Sequence, residues 1–425
     1  MWEKFMRVWA VKEVRRGLLF IILLMALFRF VAHIPLPGID LVALQRFFEA
    51  NQMLGLLNLF SGGTIRSFSV VALGVAPYIT ASIILQLLAV LVPRLEEMQK
   101  EGESGQQKIN QWTRLLTIPL AIIQGFGILS LLRQSQSSIL TKTDSLHIIA
   151  ILCAMTAGTL FLMWLGELIS ERKVGNGMSM IIAAGILANL PTSLTQFWAT
   201  YDSSQLFSLV LYVVIAIVMI TAVVFINEGQ RNIPIQHARQ SRGAGPALGG
   251  VASSLPLRVN TVGVMPIIFA ISLLIFPTMI AQFFTRAASP ILRDGATWVI
   301  TILQDQWVYG ISYFVLVVGF TYFYTAVVFH PDRVAENLQK QGSFVPGLRP
   351  GKPTAEYLQA VMNRITLAGA AFLGIIAVMP LIAQGFTGTR ALALGGTSLL
   401  IVVSVVIESV KQIQSQMTMH EYDAY

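Results

Sequence analysis

Residues 56–80 read LLNLFSGGTIRSFSVVALGVAPYIT. An apolar start at Leu56 to Phe60 stops at Ser61-Gly62-Gly63, continues through Arg66 and further hydroxyl residues, then turns apolar again with Pro77 inside. Elsewhere the apolar runs are long enough to cross a bilayer, which takes about 20 residues as a helix. A segment broken at membrane depth is tolerable only where protein or a water-filled cavity surrounds it. The break therefore predicts a cavity inside a membrane bundle, with residues 61–67 facing it.

The composition agrees. Of the 425 residues 55% are hydrophobic and only 12% charged, and the mean hydropathy is +0.69. These values exclude an ordinary soluble domain. The single cysteine, Cys153, lies in an apolar run and offers neither a disulfide framework nor a thiolate metal site. The five histidines, at 33, 147, 237, 330 and 420, are scattered with no HExxH pair, so no metal cofactor is expected. The basic N-terminus precedes an apolar stretch, but no small-residue cleavage site follows, and it reads as a retained first span.

Ten spans are predicted, at about 17–34, 70–92, 112–132, 148–169, 178–198, 206–226, 262–284, 308–330, 365–383 and 395–413. Residues 53–68 are too short and polar to be an eleventh. With the N-terminus inside, 21 of the 29 Lys and Arg fall on the inner side, which places both termini in the cytoplasm. Most of the net charge of +8 is then explained by topology and by anionic lipid. Arg29, near the outer end of the first span, either snorkels to the interface or ties helices together.

Two spans share a pattern. Gly74-Val75-Ala76-Pro77-Tyr78-Ile79, followed by Ser82, and Gly263-Val264-Met265-Pro266-Ile267-Ile268, followed by Ser272, both read G-V-x-P-x-I. They lie five spans apart and so cross in opposite directions, the mark of an inverted repeat, residues 1–200 against 201–425. The matched prolines are expected to remove one backbone hydrogen bond each and bend their helices. The span centres carry aliphatics, and the polar residues there, Thr80, Ser82, Gln86, Ser272 and Ser404, are uncharged. An interior without charge suits a hydrophobic constriction better than an ion site. That weighs against a secondary transporter, which needs a charged or carbonyl-lined midplane site.

Two motifs mislead. Gly102-Glu103-Ser104-Gly105 has the G-x-S-G of an intramembrane protease but sits in a hydrophilic loop without a histidine partner. Gly347 to Thr354, GLRPGKPT, is one residue short of a P-loop and has proline where magnesium would be held. Neither an enzyme nor a nucleotide cofactor is expected. Loops 227–260 and 330–364 are instead long, basic and punctuated by Pro and Gly, a shaped cytoplasmic surface for a large partner. The first has β-like runs and the second helix-like runs about a PGLRPGKP turn.

Six stretches in order resemble the SecY family of bacterial protein-conducting channels. They are IPLPGID, LLNLFSGGTIRSFSVVALGVAPYITASIILQLL, EGESGQQKINQWTR, GNGMSMIIAAGILANLP, VNTVGVMPIIF and KQGSFVPGLRPGKPTAEYL. The resemblance implies an all-α polytopic membrane protein whose ten helices form two inverted halves of five, hinged between the fifth and sixth, around an hourglass pore. By motif position the aliphatic ring falls on Val75, Ile79, Ile182, Ile186, Ile268 and Ile401. A re-entrant plug half-helix, within about 54–68, takes in Leu57, Phe60, Ser61, Gly62, Gly63, Thr64 and Arg66; its small and hydroxyl residues bury few large side chains, which should make it easy to displace. The lateral gate, between helices 2/3 and 7/8, includes Gln86, Ser272 and Phe276. Arg349, with Lys352 and Arg242, matches a surface that docks the motor ATPase SecA or the ribosome. The implied partners are small subunits resembling SecE and SecG, signal peptides and unfolded polypeptides, with no DNA, in the bacterial inner membrane. The first large loop departs from the pattern. It reads Gln230-Arg231-Asn232, has a neutral GAGPALGGVASS tip, and carries His237 where tyrosine is usual.

Overall fold

The computed structural model describes residues 9, 11–40, 42–44, 61–65, 67–134, 144–199, 206–237, 253–285, 289–387 and 390–423. Ten helices coincide with the ten predicted spans. They are α1 (Lys12–Ala32), α2 (Ala76–Leu91), α4 (Glu103–Gln134), α5 (Ser145–Glu171), α6 (Gly177–Ala199), α7 (Leu206–Glu228), α8 (Met265–Phe284), α10 (Gln306–Val328), α12 (Lys352–Thr387) and α13 (Arg390–Asp423). Among the described residues, six helices are long and apolar enough to cross a membrane, or seven with the bent pair formed by α2 and the short α3 (Pro93–Lys100). That pair bends by 107°. The bend follows from sequence, because Pro93 pushes Val92 to an extended backbone and the helix must restart.

Helix α1 belongs to the bundle. Val14, Gly17, Ile21, Leu24, Phe28 and Ala32 recur every three or four residues and are buried, and this face packs on α5 and α6. Helices α2, α4, α5 and α6 pack as a chain of neighbours, and α7, α12, α10 and α8 form a second group. The groups meet along two seams. At one, α8 lies on α2 and α4; at the other, α13 lies on α6 and α1. One apolar cluster runs through both.

The matched motifs adopt matched backbone. Gly74 and Gly263 are both left-handed, with φ of 60° and 67°. Val75 and Val264 follow as N-caps, and proline stands at the second helical position in α2 and α8 alike. The first helical bonds also correspond, Ile79 N–H to Val75 O at 3.0 Å and Ile268 N–H to Val264 O at 3.3 Å. This corrects the expected proline bends. In the first turn the missing N–H would have had no partner anyway, so Pro77 and Pro266 start their helices instead of breaking them. Residues 70–75, apolar enough to be read as helix, are consecutive turns.

The two basic loops combine in one body. Strand β1 (Gln230–His237) pairs antiparallel with β2 (Ser253–Arg258) and, at its far end, with β3 (Ser343–Phe344), giving the order β2-β1-β3. The otherwise helical chain thus carries a small sheet, and the β-like reading of the first loop holds. Helix α11 (Pro331–Lys340) and the start of α12 pack together beside β3, and Ile233, Leu257, Val345, Leu358, Val361 and Ile365 make a separate small core. Its root is a polar knot. The Asn260 amide donates to Asn227 Oδ1 at 2.7 Å and Gly263 O at 3.2 Å, Gly263 N–H donates to Asn260 Oδ1, and Lys411 Nζ of α13 donates to Asn227 O at 2.6 Å.

Leu358 is fully buried in that small core. Leu358→Ala should lower the stability of the cytoplasmic body by about 2–5 kcal/mol. Limited trypsinolysis of membranes checks this: cleavage at Arg231 and Arg258 should accelerate while the spans stay protected.

Candidate functional site

Residues 61–65 and 67–75 fill the space between α1, α5 and α6 without forming a helix. Gly62 and Gly63 are left-handed, with φ of 70° and 84°, which only glycine adopts without cost. Gly62 packs backbone to backbone on Gly185 of α6; a Cβ on Gly185 would collide with Gly62 Cα, and one on Gly63 with the Asn189 side chain. Gly158 of α5 similarly leaves room for the Val70 carbonyl.

The polar groups of this segment are satisfied locally, as an apolar setting requires. Thr64 Oγ1 lies 2.7 Å from Ser61 O and 2.9 Å from Val71 O. Ser67 Oγ donates to Ala32 O at 3.0 Å. Leu36 N–H donates to Phe68 O and Val70 N–H to Ile34 O, around an isolated bridge between Pro35 and Ser69. Arg29 Nη1 donates to Gly62 O at 3.2 Å, so it ties α1 to this irregular segment, a contact that neither of its two readings named. Ser61, Thr64, Ile65 and Phe68 are buried. The described part of the predicted plug, residues 61–65 and 67–68, is a chain of turns, and it carries more anchoring than its small residues suggested; the rest of the predicted half-helix lies outside the described residues. Leu57, Phe60 and Arg66 lie outside the described residues.

The six aliphatics come from four helices and one helix cap. Val75 caps α2 and Ile79 lies in its first turn; Ile182 and Ile186 stand one turn apart on α6; Ile268 is in the first turn of α8; Ile401 is on α13. None exceeds 4% exposure, and all share the continuous apolar cluster. Among the described residues, the buried polar side chains are Ser, Thr, Asn and Gln alone, so the interior holds no fully buried charge.

At the seam between α2 and α8, Gln86 donates to Ser82 Oγ at 3.0 Å and lies beside Tyr324 of α10. Its own Oε1 is buried with no hydrogen-bond partner among the described residues. Ser272 is buried and Phe276 half-buried on α8. Sequence reasoning missed Gln124 of α4, which donates to Thr80 Oγ1 of α2 at 3.3 Å in the same buried layer; an uncharged glutamine inside a long apolar run was the available signal. It also missed the Arg114–Glu167 pair, 2.8 Å, joining α4 to α5.

On the cytoplasmic body Arg349 and Lys352 are exposed. Gly347 and Gly351, left-handed with φ of 83° and 98°, turn the chain sharply on either side of Arg349. Thr354 Oγ1 donates to the Arg349 carbonyl at 2.8 Å, fixing the backbone while the guanidinium projects. Arg242 lies outside the described residues.

The SecY family model matches residues 69–410. A protein translocase subunit SecY from Streptomyces griseus is 42% identical over 450 residues, covering 100% of each chain. Among solved structures, one described as "The plug domain of the SecY protein stablizes the closed state of the translocation channel and maintains a membrane seal" is similar with a TM-score of 0.64 at 20% identity, covering 92% of this chain and 90% of that one. Sec61 in the canine ribosome-channel complex from the endoplasmic reticulum is similar with a TM-score of 0.61 at 19% identity, covering 93% and 90%. The structural likeness shares the fold, and the full-length sequence match fixes the lineage: this chain is a multi-pass membrane protein that belongs to the SecY family.

Proposed function

We propose that the chain is the central channel subunit of a protein translocase, passing unfolded polypeptides across the bacterial inner membrane and releasing membrane segments sideways into lipid. The observation that carries this reading is the meeting of the two helix groups, where Val75, Ile79, Ile182, Ile186, Ile268 and Ile401 are all buried and where, among the described residues, no charged side chain is buried. Residues 1–200 and 201–425 act as two jaws, and the aliphatics form a gasket that closes by contact and dewetting around whatever passes. The part has no catalytic step of its own. Energy comes from a cytosolic partner, SecA or the ribosome, docking on the exposed Arg349 and Lys352 and on Arg242. Small subunits resembling SecE and SecG accompany it, and both termini face the cytoplasm, with anionic lipid against the basic inner side.

The gasket reading predicts that the Ile79→Asn, Ile268→Asn double variant leaks. Resting conductance in planar bilayers should rise several-fold over the parent, and unchanged conductance would remove the assignment.

Residues 61–65 act as the movable seal below that gasket, and Gln86, Ser272 and Phe276 line the lateral exit. Gly63 and Asn189 are adjacent, so cysteines placed there in a Cys153→Ser background should form a disulfide on oxidation. A non-glycine residue at the left-handed position 63 costs about 1–2 kcal/mol, which the bundle can absorb. The oxidised protein should fail to translocate and recover on reduction; full transport in the locked state would refute the plug role.

For the docking surface, Arg349→Glu should weaken SecA or ribosome binding about tenfold, or ~1.4 kcal/mol, with no change in folding. A titration showing equal affinity would withdraw Arg349 from the interface.

A further inference from the structure

Helix α9 (Pro290–Gln304) joins α8 to α10, where no span is predicted. It packs on both neighbours. Since α8 starts beside β2 and α10 ends beside α11, α9 lies at the end of the bundle opposite the sheet.

The 3.6-residue period divides this helix into three faces. Ala296, Val299 and Leu303 share one, turned to the protein: Ala296 is buried and Leu303 packs on the apolar cluster. Arg293, Thr297, Thr301 and Gln304 share a second, fully exposed and polar. Ile291, Gly295, Trp298 and Ile302 share the third, which is apolar and largely uncovered, with Ile291 at 84% and Trp298 at 66% exposure. A helix between protein and water alone needs only two faces. The third requires an apolar medium alongside.

That medium is identified by what the face adjoins. Asp305, with an extended backbone, ends α9 and caps α10 by accepting from Trp307 N–H and Val308 N–H at 2.9 and 3.0 Å. From there Trp307, Ile311 and Val315 continue along α10 as an exposed apolar stripe, at 78%, 64% and 59%, which in a spanning helix faces lipid tails. Trp298 and Trp307 flank the junction, and tryptophan concentrates where headgroups meet acyl chains. Arg293 and Asp294, adjacent and exposed, pair at 3.5 Å and present both signs of charge, as zwitterionic headgroups do.

We propose that α9 is an interfacial helix that lies in the outer membrane surface, with Ile291, Trp298 and Ile302 sunk into the boundary between lipid headgroups and acyl chains. It braces the outer ends of α8 and α10 against the bilayer, independently of what passes through the bundle.

The test uses the purified translocase, with its own subunits, in vesicles of phosphatidylethanolamine and phosphatidylglycerol. Trp298→Cys and Thr297→Cys are made in a Cys153→Ser background and each is labelled with a small fluorophore. At position 298 the label should be quenched by lipid brominated high on the acyl chain and shielded from aqueous iodide, whereas at 297 iodide should quench several-fold more strongly. Equal iodide quenching at both would overturn the proposal, and shielding of 298 from both quenchers would overturn it in favour of a protein cover. Trp298→Phe in the otherwise native chain gives a measurement free of labelling. It should lower the brominated-lipid quenching of intrinsic fluorescence, and an unchanged signal counts against the proposal.

Discussion

In hydrocarbon every backbone N–H and C=O must find a partner within the protein, and the turns at residues 61–65 and 67–75 make that rule the organising constraint of this bundle. A helix satisfies itself and can face lipid. A chain of turns cannot, so α1, α5 and α6 have to enclose it. Enclosure in turn demands close approach, which explains why Gly62 meets Gly185 and why Gly158 sits under the Val70 carbonyl. Where the internal partners fall short, Arg29 reaches across from α1 to the Gly62 carbonyl. The helix positions around the cavity are thus set from within, by the irregular segment they surround.

The same economy holds at the seams. Polar contacts between helices in the buried layer are single, neutral hydrogen bonds such as Gln124 to Thr80, each worth about 0.5–1.5 kcal/mol net. Ion pairs lie toward the ends, as Arg114 with Glu167 does, and remain partly exposed, where they contribute about 0–1 kcal/mol. A bundle closed by apolar contact and weak neutral bonds can part along a seam without stranding a charge in lipid.

Much of this was legible in the sequence because hydropathy needs no knowledge of partners. All ten predicted spans are helices, and the G-V-x-P repeat recurs as the same left-handed glycine, valine cap and proline start in α2 and α8. What failed depended on context. Residues 70–75 are apolar, and nothing in their composition separates a buried turn from a helix. Pro77 and Pro266 read as the site of a bend or a freed carbonyl because a helix start cannot be located inside a continuous apolar run. The third strand escaped because β3 is two residues long and stands about a hundred residues from β1 in sequence. Helix α9 escaped because Arg293 and Asp294 lower its hydropathy while its apolar residues occupy two separate faces. The residues assigned to ring, gate and docking surface came from family resemblance; the six aliphatics are buried, and Arg349 and Lys352 are exposed.

The cytoplasmic sheet has a mechanical consequence. Two loops that would each be compliant alone are cross-braced by β1, which carries β2 on one edge and β3 on the other. The knot of Asn227, Asn260, Gly263 and Lys411 then clamps this brace to the roots of α7, α8 and α13 together. A load applied at the Arg349 turn therefore has a stiff path, through β3 and β1 into the first turn of α8 where Ile268 sits. One hydrogen-bonded path thus connects the sheet to the start of α8 through Asn260 and Gly263.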